Sequence, residues 1–128
     1  MYDYLGEYSV TPNFEQLDTH TLDQYCALIG AAVFMKSVNL FEQMAPDYVQ
    51  AVATGVTNQD RSQITAEAHK LKGAAGAVGL KRVQELAQLL QHDEAPQWHT
   101  DHPQWLALLQ QHINADISAL KAYLQAKS

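Results

Sequence analysis

Ile64-Thr65-Ala66-Glu67-Ala68-His69-Lys70-Leu71-Lys72-Gly73-Ala74-Ala75-Gly76-Ala77-Val78-Gly79 is the stretch from which the rest of the chain can be read. Ile64, Ala68, Leu71, Ala75 and Val78 recur at alternating spacings of four and three. On a helix of 3.6 residues per turn they share one stripe, the kind of seam that a bundle buries. The neighbouring stripe holds Thr65, His69, Lys72 and Gly76. His69 therefore stands one step round from the core and is at least partly exposed. Residues Thr57 to Asp60 supply caps that open this helix, and Gly76 to Gly79 end it.

Outward from this segment the chain reads as helical almost throughout. No segment alternates apolar and polar residues long enough to predict a strand. Residues 1–16 read as an irregular N-terminal arm, with Tyr2, Tyr4, Leu5, Tyr8 and Phe14 available to pack it onto the body. Residues 17–128 read as one domain. A first helix is predicted from Asp18 or Thr19, either of which can cap it, to Ile29, where Gly30 stops it. A second spans Ala31 to Thr54, with Val33, Phe34, Val38, Phe41, Met44, Val49 and Val52 as its apolar face. Pro46 should kink it near Met44 or Ala45, and Gly55 to Asn58 read as a turn. Beyond the His69 helix a fourth runs from Leu80 to Gln91, with Val83, Leu86, Ala87 and Leu90 inward and Gln84, Gln88 and Gln91 as a polar stripe. Residues 92–103 read as a loop, with or without a short helical turn. The last helix runs from Gln104 to Ala126 and buries Trp105, Leu109, Ile113, Ile117, Leu120 and Leu124. Short connections between the middle helices require antiparallel neighbours. The expected fold is all-α: an antiparallel up-and-down four-helix bundle with an extra N-terminal helix packed across one end.

At 128 residues, 47% hydrophobic and 17% charged, the chain has enough apolar material for one core and is not a disordered tail. It has no run of about 18 apolar residues, so no membrane span is expected. Residues 1–11 lack the basic-then-apolar pattern of a secretory signal. Cys26 is the single cysteine, which excludes an intramolecular disulfide and suits a reducing, cytoplasmic setting. A net charge of −6 argues against nucleic acid as a partner, because phosphate contacts need a basic surface. Yet four of the eight Lys and Arg residues, Lys70, Lys72, Lys81 and Arg82, fall within thirteen residues around and after His69. That concentration points to an anionic ligand or an acidic partner surface. The alternative is that these cations only solvate a helix face.

A histidine beside a core seam is most often structural, so its neighbours decide the case. Lys72 at i+3 and Gly73 at i+4 share its face. Glycine inside a helix costs about 1 kcal/mol relative to alanine. On an exposed side Gly73 and Gly76 gain nothing by packing. They leave open space above the imidazole, which Ala74, Ala75 and Ala77 widen. A neutral imidazole is a nucleophile near pH 7, and Lys72 can neutralise a phosphoryl oxygen. An uncrowded imidazole beside a cation suits covalent carriage of a phosphoryl group.

No nucleotide-binding sequence accompanies it. A Gly-x-x-x-x-Gly-Lys-Ser/Thr run is missing, and Gly73, Gly76 and Gly79 do not follow a strand. The rival site is the segment holding His92, His99, Asp101 and His102. A structural zinc site normally fixes four ligands, and the segment reads instead as a solvated loop that holds no metal. A di-metal bundle core would need repeated Glu-x-x-His, which the chain lacks. No nucleophile–base–carboxylate set for a hydrolase is visible. The remaining alternative is a helical interaction or scaffold module that is never phosphorylated.

The pattern His69-x-Leu71-Lys72-Gly73-Ala74-x-x-x-x-Gly79 resembles the motif of the histidine phosphotransfer (HPt) domain. The segment from Leu40 to Val49, the Leu80-Lys81-Arg82 entry to the next helix and the helix from Trp105 to Leu124 are similar to that family too. The resemblance covers residues 15–126. It implies that His69 is the phosphorylated residue, that Lys72 supports the phosphoryl group and that Gly73 clears the partner's approach. It also implies that Gln91, on the next helix, lies near the imidazole as polar support. The implied partners are receiver domains of a hybrid sensor kinase or a response regulator. One would donate from an aspartyl-phosphate and another accept on an aspartate. The implied carrier has no kinase activity and no cofactor of its own. Mg²⁺ is expected on the receiver, because no carboxylate cluster stands beside His69. A cytoplasmic monomer is expected, without nucleic acid or membrane as a partner.

Overall fold

A computed structural model describes residues 12–128. The expected packing of Tyr2, Tyr4, Leu5 and Tyr8 lies outside the described residues. Five helices follow one another: α1 (Thr19–Ile29), α2 (Ala31–Thr57), α3 (Arg61–Ala77), α4 (Lys81–Gln91) and α5 (Trp98–Lys127). Among the described residues there is no strand. The protein is all-α, a helical bundle.

Local chemistry sets the boundaries. Asp18 caps α1, accepting from the Thr21 backbone N–H at 3.1 Å and the Thr21 hydroxyl at 2.8 Å. Those hydrogen bonds hold its carboxyl below the usual carboxylate range. Gly30, at φ 85°, separates α1 from α2 in a conformation that side chains rarely adopt. Asp60 caps α3 through the Gln63 N–H at 3.1 Å.

Alternating directions follow from what meets at each end. Near α1 lie the start of α2, the end of α3, the start of α4 and the end of α5. The Asp18 N–H donates to the Gly79 carbonyl at 2.9 Å, and the Tyr25 and Phe34 rings are 5.0 Å apart. Asp23 accepts from the Tyr123 hydroxyl and pairs with Lys127 at 3.1 Å. The bundle is thus up-and-down, with α1 across one end. Leu22, fully buried, fills this end so closely that a Cβ on Gly79 would lie 2.7 Å from its Cδ2. Phe14 packs against the same core.

The seam read from α3 is buried at every position: Ile64, Ala68, Leu71, Ala75 and Val78. So are Val83, Leu86, Ala87 and Leu90 on α4. Leu71 is 0% exposed. Leu71→Ala is expected to lower the unfolding free energy by about 2–5 kcal/mol, the cost of lost burial plus a cavity. Urea denaturation measures it, and a change below about half a kcal/mol would displace Leu71 from the core.

Three expectations are corrected. The second helix runs past Thr54 to Thr57, with Pro46 and Gly55 inside it. Gly55 is not a turn residue but a point of close helix contact, where a Cβ would sit 3.0 Å from Ile64 Cγ1. Val33 and Met44, read as core-facing, are 51% and 42% exposed; Phe34, Val38, Phe41 and Val52 face inward as expected, and Ala45 joins them. The last helix starts at Trp98, six residues before Gln104, with Pro103 inside it. Its first turn was concealed by a polar, proline-flanked run. Buried Trp98 anchors it by donating its indole N–H to the Leu90 carbonyl at 2.9 Å.

Candidate functional site

α3 sets the site and α4 closes one side of it. Because the α3 seam faces inward, the next stripe looks out along the α3–α4 boundary. His69 is exposed there and Lys72 is half-buried. Gln91, the last residue of α4, brings its amide nitrogen to 3.0 Å from His69 Nδ1. Twenty-two residues of sequence separate the two partners. The ring is held at Nδ1, and Nε2 is the nitrogen left for an approaching group. The Gln91 amide oxygen is buried without a hydrogen-bond partner among the described residues.

The two glycines of this face behave differently. A Cβ on Gly73 would meet nothing within 4 Å, so the space beside His69 is open at this position. A Cβ on Gly76 would lie 2.7 Å from Gln84 Nε2. Gly76 therefore does gain by packing: it lets the Gln84 side chain of α4 lie against α3. The idea that Gly76 serves openness is overturned by that contact.

The cation cluster read from the sequence also disperses. Lys70 pairs with Glu67 at 3.3 Å. Arg82 is committed to Asp116, a fully buried carboxylate, through Nε to Oδ2 at 3.0 Å and a second bond from Nη2. Gln16 donates to the same carboxylate at 2.8 Å. The bond to Asp116 raises the Arg82 pKa above its ordinary value. Lys81 and Arg82 open α4, whereas Gln91 closes it, so they lie about 15 Å along the helix from the His69 level. Lys72 remains beside the imidazole, with no ion-pair partner among the described residues.

His99, Asp101 and His102 lie in the first turns of α5 and not in a loop. His102 stacks on Trp98 with ring centroids 4.2 Å apart and bonds the Trp98 carbonyl through Nδ1 at 2.8 Å. Among the described residues no three His, Cys, Asp or Glu side chains are placed to share a metal. No helix of the described chain is long and apolar enough to cross a membrane.

An exposed histidine on the second helix of a four-helix body, fixed by a glutamine and flanked by a lysine and an open glycine, describes one class of protein. The sequence model of the Hpt domain matches residues 36–123, and the chain belongs to that family. It is 36% identical over 108 residues to the aerobic respiration control sensor protein ArcB of Escherichia coli K12, and equally to that of Shigella flexneri. That match takes in 84% of this chain and 14% of the relative, so the chain spans a small part of the length of these sensor proteins. The solved histidine-containing phosphotransfer domain of ArcB from E. coli superposes with a TM-score of 0.86 at 34% identity, covering 88% of this chain and 96% of that one. A solution structure of the ArcB domain gives 0.79 at 35% identity, covering 86% and 88%.

Proposed function

We propose that this protein is a histidine phosphocarrier in a multistep phosphorelay. It accepts a phosphoryl group on His69 from the aspartyl-phosphate of one receiver domain and passes it to the aspartate of a response regulator. The observation that carries this reading is the His69–Gln91 pair on an open helix face, with Gly73 clear and Lys72 alongside.

The chemistry needs a lone pair on His69 Nε2. With the Gln91 nitrogen donating to Nδ1, the ring proton sits on Nε2. A half-turn of the amide presents its oxygen instead, and Nδ1 then carries the proton and Nε2 is free to attack. In the transfer, the Nε2–P bond forms as the acyl P–O bond breaks, and the receiver carboxylate leaves with the electron pair. The Nδ1 proton stays on the ring against Gln91. Lys72 offsets charge on the phosphoryl oxygens, and Gly73 admits the receiver to in-line distance. Mg²⁺ belongs to the receiver. The protein acts as a cytoplasmic monomer, without kinase activity and without nucleic acid.

Incubation with a radiolabelled, phosphorylated receiver tests this. Acid-labile, alkali-stable label should appear on the chain, and ATP with Mg²⁺ alone should give none. Label on another residue type, or none from any receiver, would leave a non-phosphorylated scaffold in its place.

Two variants separate access from charge. Gly73→Leu should slow transfer by filling the approach, while its thermal midpoint stays level or rises, since leucine favours a helix over glycine by about 0.8 kcal/mol. Lys72→Ala should slow transfer by about tenfold or more without abolishing it, because lysine forms no bond to phosphorus. Rapid-quench transfer rates and thermal melts check both.

A further inference from the structure

The end of α4 that carries Gln91 is tied down by side chains from two other helices. Arg61, the first residue of α3, donates from Nε to the Asp93 carboxylate and from Nη2 to the Asp93 carbonyl at 3.0 Å. Its guanidinium also lies 5.7 Å from the centroid of the Trp98 ring. Trp98, the first residue of α5, in turn holds the Leu90 carbonyl at 2.9 Å. Leu90 immediately precedes Gln91, and Asp93 follows it by two residues. The Leu90 carbonyl is one of the last four of α4, which have no partner within their own helix. Trp98 therefore supplies what the helix end lacks, and Arg61 fixes the chain just beyond it.

This matters because the His69–Gln91 bond joins two elements. α3 places the imidazole and α4 places the amide. A hydrogen bond of 3.0 Å is lost if the helices separate by a few tenths of an ångström more than geometry allows. Arg61 and His69 stand eight residues apart on α3, about 12 Å along it. The Arg61–Asp93 bridge and the His69–Gln91 bond are thus two ties between the same pair of segments. An exposed ion pair alone stabilises little. Here the guanidinium makes two hydrogen bonds and rests on an indole that is only 2% exposed and cannot swing away.

We propose that Arg61, Asp93 and Trp98 form a latch that positions Gln91, and through it the His69 ring. Arg61 is a positioning residue, about 12 Å from the chemistry along its helix, which acts by holding α4's end in register with α3. The latch serves the carrier function proposed above. Arg61 is well suited to a test because its side chain is half exposed, so its removal opens no cavity in the core.

The readout is the ¹⁵N signals of the His69 ring nitrogens in the 128-residue chain, assigned by their disappearance in His69→Gln. Gln91→Ala supplies the values of an unheld ring. Arg61→Ala should move the signals from the wild-type values towards those of Gln91→Ala, with helical content unchanged and transfer slowed roughly three- to tenfold. Arg61→Lys, which keeps the charge but not the two-pronged grip, should restore part of both. Trp98→Phe, which keeps the ring and removes the bond to Leu90, should shift the signals the same way. Ring signals that stay at wild-type values in Arg61→Ala, whatever happens to stability, would overturn the latch. So would Gln91→Ala leaving them in place, since Gln91 would then position nothing. Failure of the wild-type chain to take phosphate would instead overturn the carrier function, and the ring signals, which need no phosphoryl donor, would still decide the latch.

Discussion

His69→Gln will take up no phosphoryl group from a charged receiver and will unfold at about the temperature of the unaltered chain. The two halves of this expectation have separate physical grounds. Glutamine has no nucleophilic nitrogen, so the bond to phosphorus cannot form, whatever else the face provides. Stability should hold because His69 is exposed, while the buried stripe of α3 runs through Ala68, Leu71 and Ala75 beside it. The one hydrogen bond lost, to Gln91 at 3.0 Å, lies at the surface. Such bonds contribute about 0.5–1.5 kcal/mol at most, and the new amide can replace part of it. Transfer assays and thermal melts read the two halves independently. Undiminished label on the variant would move the site elsewhere. Loss of label together with loss of fold would make His69 a packing residue.

Arg82→Ala should destabilise the bundle by about 3–5 kcal/mol, because it leaves a buried carboxylate without its cation. Asp116 is 0% exposed on α5, and Arg82 reaches it from α4 with two hydrogen bonds. Gln16 adds a third at 2.8 Å, drawing the segment before α1 onto the same pair. A lone glutamine cannot compensate a full charge taken out of water. The side chain of Arg82 is 23% exposed, which places the expected cost towards the lower end of the range. Pairing Arg82→Met with Asp116→Leu should recover most of the loss, since well-packed apolar groups often replace a buried pair at no net cost. Urea denaturation of the single and double variants measures both. A loss below about 1 kcal/mol in Arg82→Ala would mean that water reaches Asp116.

That pair also shows where sequence reasoning ends. Closeness in the chain groups Arg82 with the lysines near His69. Its partner lies thirty-four residues away on another helix, and the pairing turns a presumed ligand-facing cation into a structural one. Its place on a polar stripe reads Gly76 as an opening, and the Gln84 side chain packed against it shows otherwise.

The sequence by itself determined the order of the five helices, the α3 seam and the clustering of His69, Lys72 and Gly73. All of these follow from the period of a single helix, which fixes which residues share a face and how far apart they rise. Gln91 could be named from family resemblance but not from any spacing. The tertiary structure decided what each face meets. It set the 3.0 Å approach of Gln91 to His69, the Gly55–Ile64 contact, the early start of α5 on Trp98 and the sealing of Arg82 onto Asp116. Periodicity records that a face is apolar or polar. Which neighbour covers it, and at what distance, depends on how the helices pack, and side chains far apart in the chain then meet within one hydrogen bond's length.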